Sequence, residues 1–246
     1  MKFVILFLFI FCSNIAVAGE CSGSSHWVRA YHRRAYYRGD GTFVAATEMS
    51  AHCQHNPEGY EFWKDKIKNG SPPFWPNKSE KIVPWSQEEI ERTLEALSEI
   101  PKELWGDYIK GIYRFDVSQD DTNPASSVKG FIALYNNAFN SSRDPSLARL
   151  ITHELAHEKY QHLGDDQELY QMATNWSNFK GNWVTRRTND DFIRLDGKLG
   201  PEEDFAVNVD TYLFNPDLLK KKVPHAYTWI KQYFSDKFVI RKGGKK

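Results

Sequence analysis

Apolar positions change their period along the chain, and the changes mark out the elements. Residues 26–49 alternate apolar and polar positions, with aromatic-rich flanks (His26-Trp27-Val28-Arg29-Ala30-Tyr31 and Thr42-Phe43-Val44-Ala45-Ala46-Thr47) on either side of Gly39-Asp40-Gly41. Alternation around an Asp-Gly turn predicts a β-hairpin. Between 70 and 85, Pro72, Pro73, Pro76 and Pro84 break any regular pattern and predict a connector. Ser86, with Glu88 and Glu89 after it, then supplies a cap and an acidic first turn. Ile90, Leu94, Leu97 and Ile100 follow at helical spacing, and Pro101 ends the helix. Two strand-like runs come next, 108–117 and 128–139, with a polar loop at 120–127 between them. Asp144-Pro145-Ser146 predicts a helix start with Pro145 in the first position; Leu147, Leu150, Ile151 and Leu155 form its stripe and Gly164 its stop. Helices are also predicted over 167–176, from Pro201 to Phe214 and, punctuated by Pro216 and Pro224, on to Phe234. The order of helix, strands and then helices is that of an α+β domain with a helical C-terminal half.

The first residues obey a different pattern. Lys2, the apolar run Phe3 to Phe11 and the small residues Ala16-Val17-Ala18 form the charge, core and cleavage pattern of a secretory signal. The run is shorter than the roughly 20 residues of a membrane span, and no later segment reaches that length. The expected organisation is a signal peptide at 1–18, a small β-rich region at 19–80 and the main domain at 81–246. The expected location is secreted or periplasmic. Removing the signal removes Cys12 and leaves Cys21 and Cys53, an even pair that predicts one disulfide in an oxidising compartment.

Composition adds exclusions. Lys plus Arg is 32 and Asp plus Glu is 32, so no basic excess points to nucleic acid. The basic end at 241–246 reads as a solvated terminus. Arg38-Gly39-Asp40 is a tripeptide found in adhesion ligands, and turn chemistry accounts for it without a receptor.

The chemistry concentrates in Thr152-His153-Glu154-Leu155-Ala156-His157. Residues four apart share a helix face, so His153 and His157 can both reach one Zn²⁺. Glu154 then flanks the metal and can take a proton from the water there. A catalytic zinc usually has three protein ligands and an open position. Histidine does not complete the set locally: Tyr160 and Leu163 stand where a longer histidine motif needs Gly and His, and His162 lies five residues past His157. A carboxylate from Pro201-Glu202-Glu203-Asp204-Phe205-Ala206 is the better source, and helical geometry leaves Glu202 and Glu203 both open. Glu202 shares the face of Ala206, Val209 and Leu213, whereas Glu203 sits at the edge of that stripe.

H-E-x-x-H followed by Glu203-Asp204-Phe205-Ala206, then Tyr212-Leu213-Phe214 and Pro216, resembles the gluzincin zinc peptidases of the anthrax-lethal-factor-like group, over roughly residues 88–236. The resemblance implies a zincin-like fold, one zinc per chain on His153, His157 and Glu203, and Glu154 as general base. It implies a peptide or protein as substrate; the expected form is a monomer, with the charge balance and the lack of a long apolar segment predicting neither nucleic-acid binding nor a membrane span. The expected activity is that of an exported zinc endopeptidase. The alternative is a catalytically inactive zinc-binding exported protein, toxin-like or envelope-binding. Two positions depart from the group. Asp196 stands where a tyrosine that stabilises the oxyanion is usual, leaving Arg194, Tyr160 and Tyr170 as substitutes. Val207 stands where some members carry a carboxylate that orients a ligand histidine, and Asp210 is the candidate for that role. In such folds the strand before the motif helix, here 128–139, lines the cleft and can pair with an extended substrate.

Overall fold

Residues 21–119, 122–140, 146–235 and 238–240 are described by the computed structural model. The signal segment with Cys12, the helix start at Asp144-Pro145 and the basic end at 241–246 lie outside them. The architecture is mixed α+β, with seven α-helices and several small sheets among the described residues.

The N-terminal hairpin is one interrupted ribbon. β1 (Ser25–Val28) pairs with β6 (His52–His55), β2 (Tyr31–Arg33) with β5 (Thr47–Met49), and β3 (Tyr36–Tyr37) with β4 (Phe43–Val44). All three ladders keep one register centred on Asp40. Gly41, at φ 81°, takes the left-handed conformation that the tip requires. A disulfide joins Cys21 to Cys53 at the open end of the ribbon. The ribbon lies along the acidic stripe Glu88, Glu91, Glu95 and Glu99 of helix α2 (Gln87–Glu99). Arg34 Nε meets Glu88 Oε2 at 2.8 Å, His26 Nε2 meets Glu91 Oε2 at 3.1 Å and Arg38 Nη2 meets Glu95 Oε1 at 2.6 Å. Arg38 of the Arg-Gly-Asp tripeptide is therefore committed to internal packing. Glu99 is buried under the hairpin tip, and its carboxyl is pushed up to about 8 by burial and by the charges of Glu95 and Asp40.

α2 starts in a complete capping box: the Ser86 side chain accepts from Glu89 N–H, and the Glu89 carboxylate accepts from Ser86 N–H. A short helix α1 (Tyr60–Trp63) buries Trp63 in the main core. β7 (Ile67–Lys68) then joins β8 (Gly111–Arg114) in the central sheet, which thus spans the expected boundary at 80. That sheet has the order β7-β8-β10-β9, where β9 is Ala125–Val128 and β10 is Phe131–Leu134. β7, β8 and β10 are mutually parallel, and β9 runs antiparallel at the edge.

The predicted strand at 128–139 needs correction. Lys129 (φ 51°) and Gly130 (φ 86°) form a two-residue turn, as Lys-Gly with two positive φ values allows. The strand that follows is only Phe131–Leu134, and Asn136–Phe139 is a 3₁₀ turn. The end of the predicted polar loop, residues 125–127, belongs to the edge strand β9.

Helix α3 (Leu147–Tyr160) begins at Leu147, with Ser146 as its cap accepting from Arg149 N–H. It buries Leu147, Ile151 and Leu155 in the core shared with Phe205, Ala206 and Val209 of α5 (Pro201–Phe214). α4 (Asp166–Ala173) precedes a second small hairpin, β11 (Trp176–Phe179) with β12 (Asn182–Thr185). Trp176, expected as the end of a helix, is the first residue of β11. α6 (Pro216–Lys222) and α7 (Pro224–Tyr233) each open on proline at the first turn, where its missing N–H costs no hydrogen bond. No helix among the described residues is long and apolar enough to cross a membrane.

Candidate metal centre

α3 and α5 pack against each other, which brings residues 153 and 157 opposite residue 203. His153 Nε2 and His157 Nε2 face each other at 3.2 Å. Each lies 3.2 Å from one oxygen of Glu203. Four-coordinate zinc, with bonds of about 2.0–2.2 Å, needs ligand atoms about 3.3 Å apart. Two imidazole nitrogens 3.2 Å apart, each with a different oxygen of Glu203 at 3.2 Å, form a donor set that could hold one such ion. Among the described residues this is the one group of three or more metal-ligating side chains that converges in this way.

The outward nitrogens are occupied as well. His153 Nδ1 meets Asp210 Oδ2 at 3.2 Å, and His157 Nδ1 meets Glu202 Oε1 at 3.3 Å. A carboxylate on the outer nitrogen fixes ring orientation and tautomer, leaving the inner lone pair for a ligand role. The neighbouring carboxylates Glu202 and Glu203 thus have different places: Glu203 is at the point of convergence and Glu202 is behind His157, where it also accepts from Gln161 Nε2 at 2.7 Å. Asp210 is fully buried, and its charge is balanced by Arg149 Nη2 at 2.9 Å and Arg194 Nη1 at 3.1 Å. Sequence reasoning did not single out Arg149, although Arg149, His153 and His157 recur every fourth residue on one face of α3.

Without a metal the cluster is strongly polarised. Burial alone would lower the pKa of His153, yet hydrogen bonds to Asp210 and Glu203 and the charge of Glu154 raise it to about 9. His157 is raised to about 10 against the same opposition, by hydrogen bonds to Glu202 and Glu203. Burial would raise Glu203, and the two histidines instead hold it well below the usual carboxylate range.

Glu154 is buried and lines a cavity of about 750 Å³ together with His153, His157, Arg194 and residues Ala125 to Ser127 of β9. Of the substitutes for the missing tyrosine, Tyr170 is sealed in the core between Asp204 and Asn208. The Tyr160 hydroxyl accepts from Gln171 Nε2 at 2.8 Å. Arg194 is the one of the three that lines this cavity, with Nη2 3.3 Å from His153 Nδ1. Asp204, next to Glu203, faces away from the cluster and ties Arg187 and Trp176 to α5 at 2.6 and 3.0 Å.

No protein-family model, curated protein or solved structure matches the chain.

Proposed function

We propose that the protein is a zinc-dependent peptide hydrolase acting outside the cytoplasm. The observation that carries this reading is the convergence of His153 Nε2, His157 Nε2 and Glu203 at 3.2 Å spacing, beside Glu154, at the wall of a cleft. His153, His157 and Glu203 would hold the ion. Bound there, zinc would supply Lewis acidity that polarises a peptide carbonyl and acidifies water near neutral pH. Glu154 accepts a proton from the attacking water and returns it to the leaving amine. Arg194 faces the negative charge that develops on the carbonyl oxygen. Asp210 and Glu202 keep the two imidazoles in register. The open edge of β9 offers backbone groups to an extended peptide. The Cys21–Cys53 disulfide supports an oxidising compartment.

A second reading has one observation in its favour. Asp196 occupies the place of the oxyanion tyrosine in the resembling group, so the protein could hold zinc without turnover. Zinc per chain and hydrolysis of a quenched-fluorescence peptide library, measured on the mature protein, test both. One zinc with turnover supports the hydrolase. One zinc without turnover leaves the inactive binding protein, and no zinc after loading removes both readings.

A further inference from the structure

Three cavities meet around Glu202, and they differ in the cations that they hold. The largest has Arg149 and Arg194 beside the carboxylates Glu154, Asp196 and Asp210. A second, of about 470 Å³, has Lys110, Lys129 and His162 beside Glu158. The third, of about 480 Å³, lies beyond His157 and contains neither Lys nor Arg. Its charged side chains other than His157 are the carboxylates Glu202 and Glu203. Its remaining polar wall is built largely of glutamines, each of which donates an amide N–H to an acceptor within the protein. Gln161 donates to Glu202 at 2.7 Å, Gln167 to Tyr160 O at 3.4 Å and Gln171 to the Tyr160 hydroxyl at 2.8 Å. Each side chain retains its carbonyl oxygen, an acceptor with two lone pairs, beside one further amide N–H. The apolar wall consists of Trp183, Leu199 and Pro201; Trp183 is 40% exposed and Leu199 81% exposed. An aliphatic stem can lie along such a wall while its charged head meets the acceptors, and an indole face attracts a cation.

We propose that this third cavity is a subsite for a basic side chain, Lys or Arg, at a position close to the bond that is cleaved. The proposal rests on the hydrolase reading for its role but not for its test. An acidic side chain would meet Glu202 and Glu203 with only His157 as a cation, and both ring nitrogens of His157 already face those two carboxylates. A purely apolar one would cover carbonyl and carboxylate oxygens without replacing their hydrogen bonds to water.

The pocket can be probed without any metal. n-Butylguanidinium, n-butylammonium and n-butanol would be titrated against the Trp183 indole N–H resonance of the mature protein, assigned with Trp183→Phe. The cations are expected to saturate the shift at concentrations roughly tenfold or more below n-butanol, as complementary charge in a partly enclosed pocket requires. Gln171→Lys should remove that preference and leave the response to n-butanol, and Gln167→Lys serves the same purpose should the first variant fail to fold. Equal titration by the three probes, or tighter binding of n-butanol, would overturn the subsite. In parallel, peptides cut from a mixture by zinc-loaded protein should carry Lys or Arg at one position near the cut, with the preference lost in the same variants. Cation binding without cleavage of any peptide would leave the subsite standing and sink the hydrolase reading. Cleavage without a basic preference would do the opposite.

Discussion

Single side chains divide the labour at the α3–α5 contact. Glu154 has no place among the converging ligand atoms, so Glu154→Gln should keep one zinc while lowering turnover by about 10²–10⁴-fold, the usual contribution of a general base. Zinc analysis and peptide hydrolysis on the same sample check it, and full activity in the variant would remove Glu154 from that role. The two neighbouring glutamates should separate cleanly. Glu203→Ala removes a converging donor and should abolish stoichiometric zinc binding. Glu202→Ala removes the partner of His157 Nδ1 and the acceptor of Gln161 Nε2 but no converging donor, and competition with a chelator should show a loss of about 10–100-fold. The histidines also set a pH dependence in the metal-free protein. Their folded values of about 9 and about 10 exceed the free value near 6.5. Their contribution is therefore complete below about pH 6.5 and is lost as pH rises through 9 and 10. Glu203 works in the other sense: its contribution is present above about pH 4.5 and lost on acidification. Thermal scans of the metal-free protein should show the midpoint falling by roughly 5–10 °C between pH 6.5 and 10. A midpoint that stays level would mean that the cluster is not ionised in this way.

Among the elements, the edge strand β9 makes the clearest claim. Its register pairs Val128 with Phe131 and Ser126 with Ala133, and Tyr135 N–H donates to Pro124 O. A two-residue turn closes on a hydrogen-bonded pair, and such pairs alternate along the ladder. Ala125 and Ser127 therefore turn their N–H and C=O groups away from β10, to the open edge. Ser127→Pro removes one outward N–H and no ladder bond, a change that edge strands tolerate. The expected result is a KM raised about tenfold with kcat and thermal midpoint nearly unchanged. An unaltered KM would show that substrate does not pair with this edge. α2 makes a contrasting case. Its acidic stripe is not left to solvent: Glu88, Glu91 and Glu95 are paired with the first hairpin and Glu99 is buried beneath the hairpin tip.

For the molecule as a whole, the disulfide is the covalent constraint, joining residues 32 positions apart. Closing a loop of that size restricts the unfolded chain by about 3–4 kcal/mol in the chain-entropy model. Reduction should lower unfolding stability by an amount of that order, seen as a shifted urea midpoint. The hairpin that it closes is held to α2 by ion pairs more than by apolar packing, so a midpoint insensitive to reductant would mean that the ribbon does not unfold with the core.

Local pattern carried a good deal of this architecture. The α+β order, the capping box at Ser86, the hairpin around Asp40 and the pairing of Cys21 with Cys53 were all legible, because each depends on nearby residues or on a count. His153, Glu154 and His157 were legible for the same reason, since four-residue spacing on a helix is enough to align them. The split of residues 128–139 into a turn and a short strand was not, because the apolar run hides the Lys129-Gly130 turn. The choice between Glu202 and Glu203 was left open by helical periodicity, which places both near one face. Only the packing of α5 against α3 separated them, putting Glu203 between the two imidazoles and Glu202 behind one. Arg149, Arg194 and the acceptor-bearing cavity beyond His157 were likewise decided by tertiary structure, since their partners come from positions 16 to 61 residues away and no local spacing records which will meet.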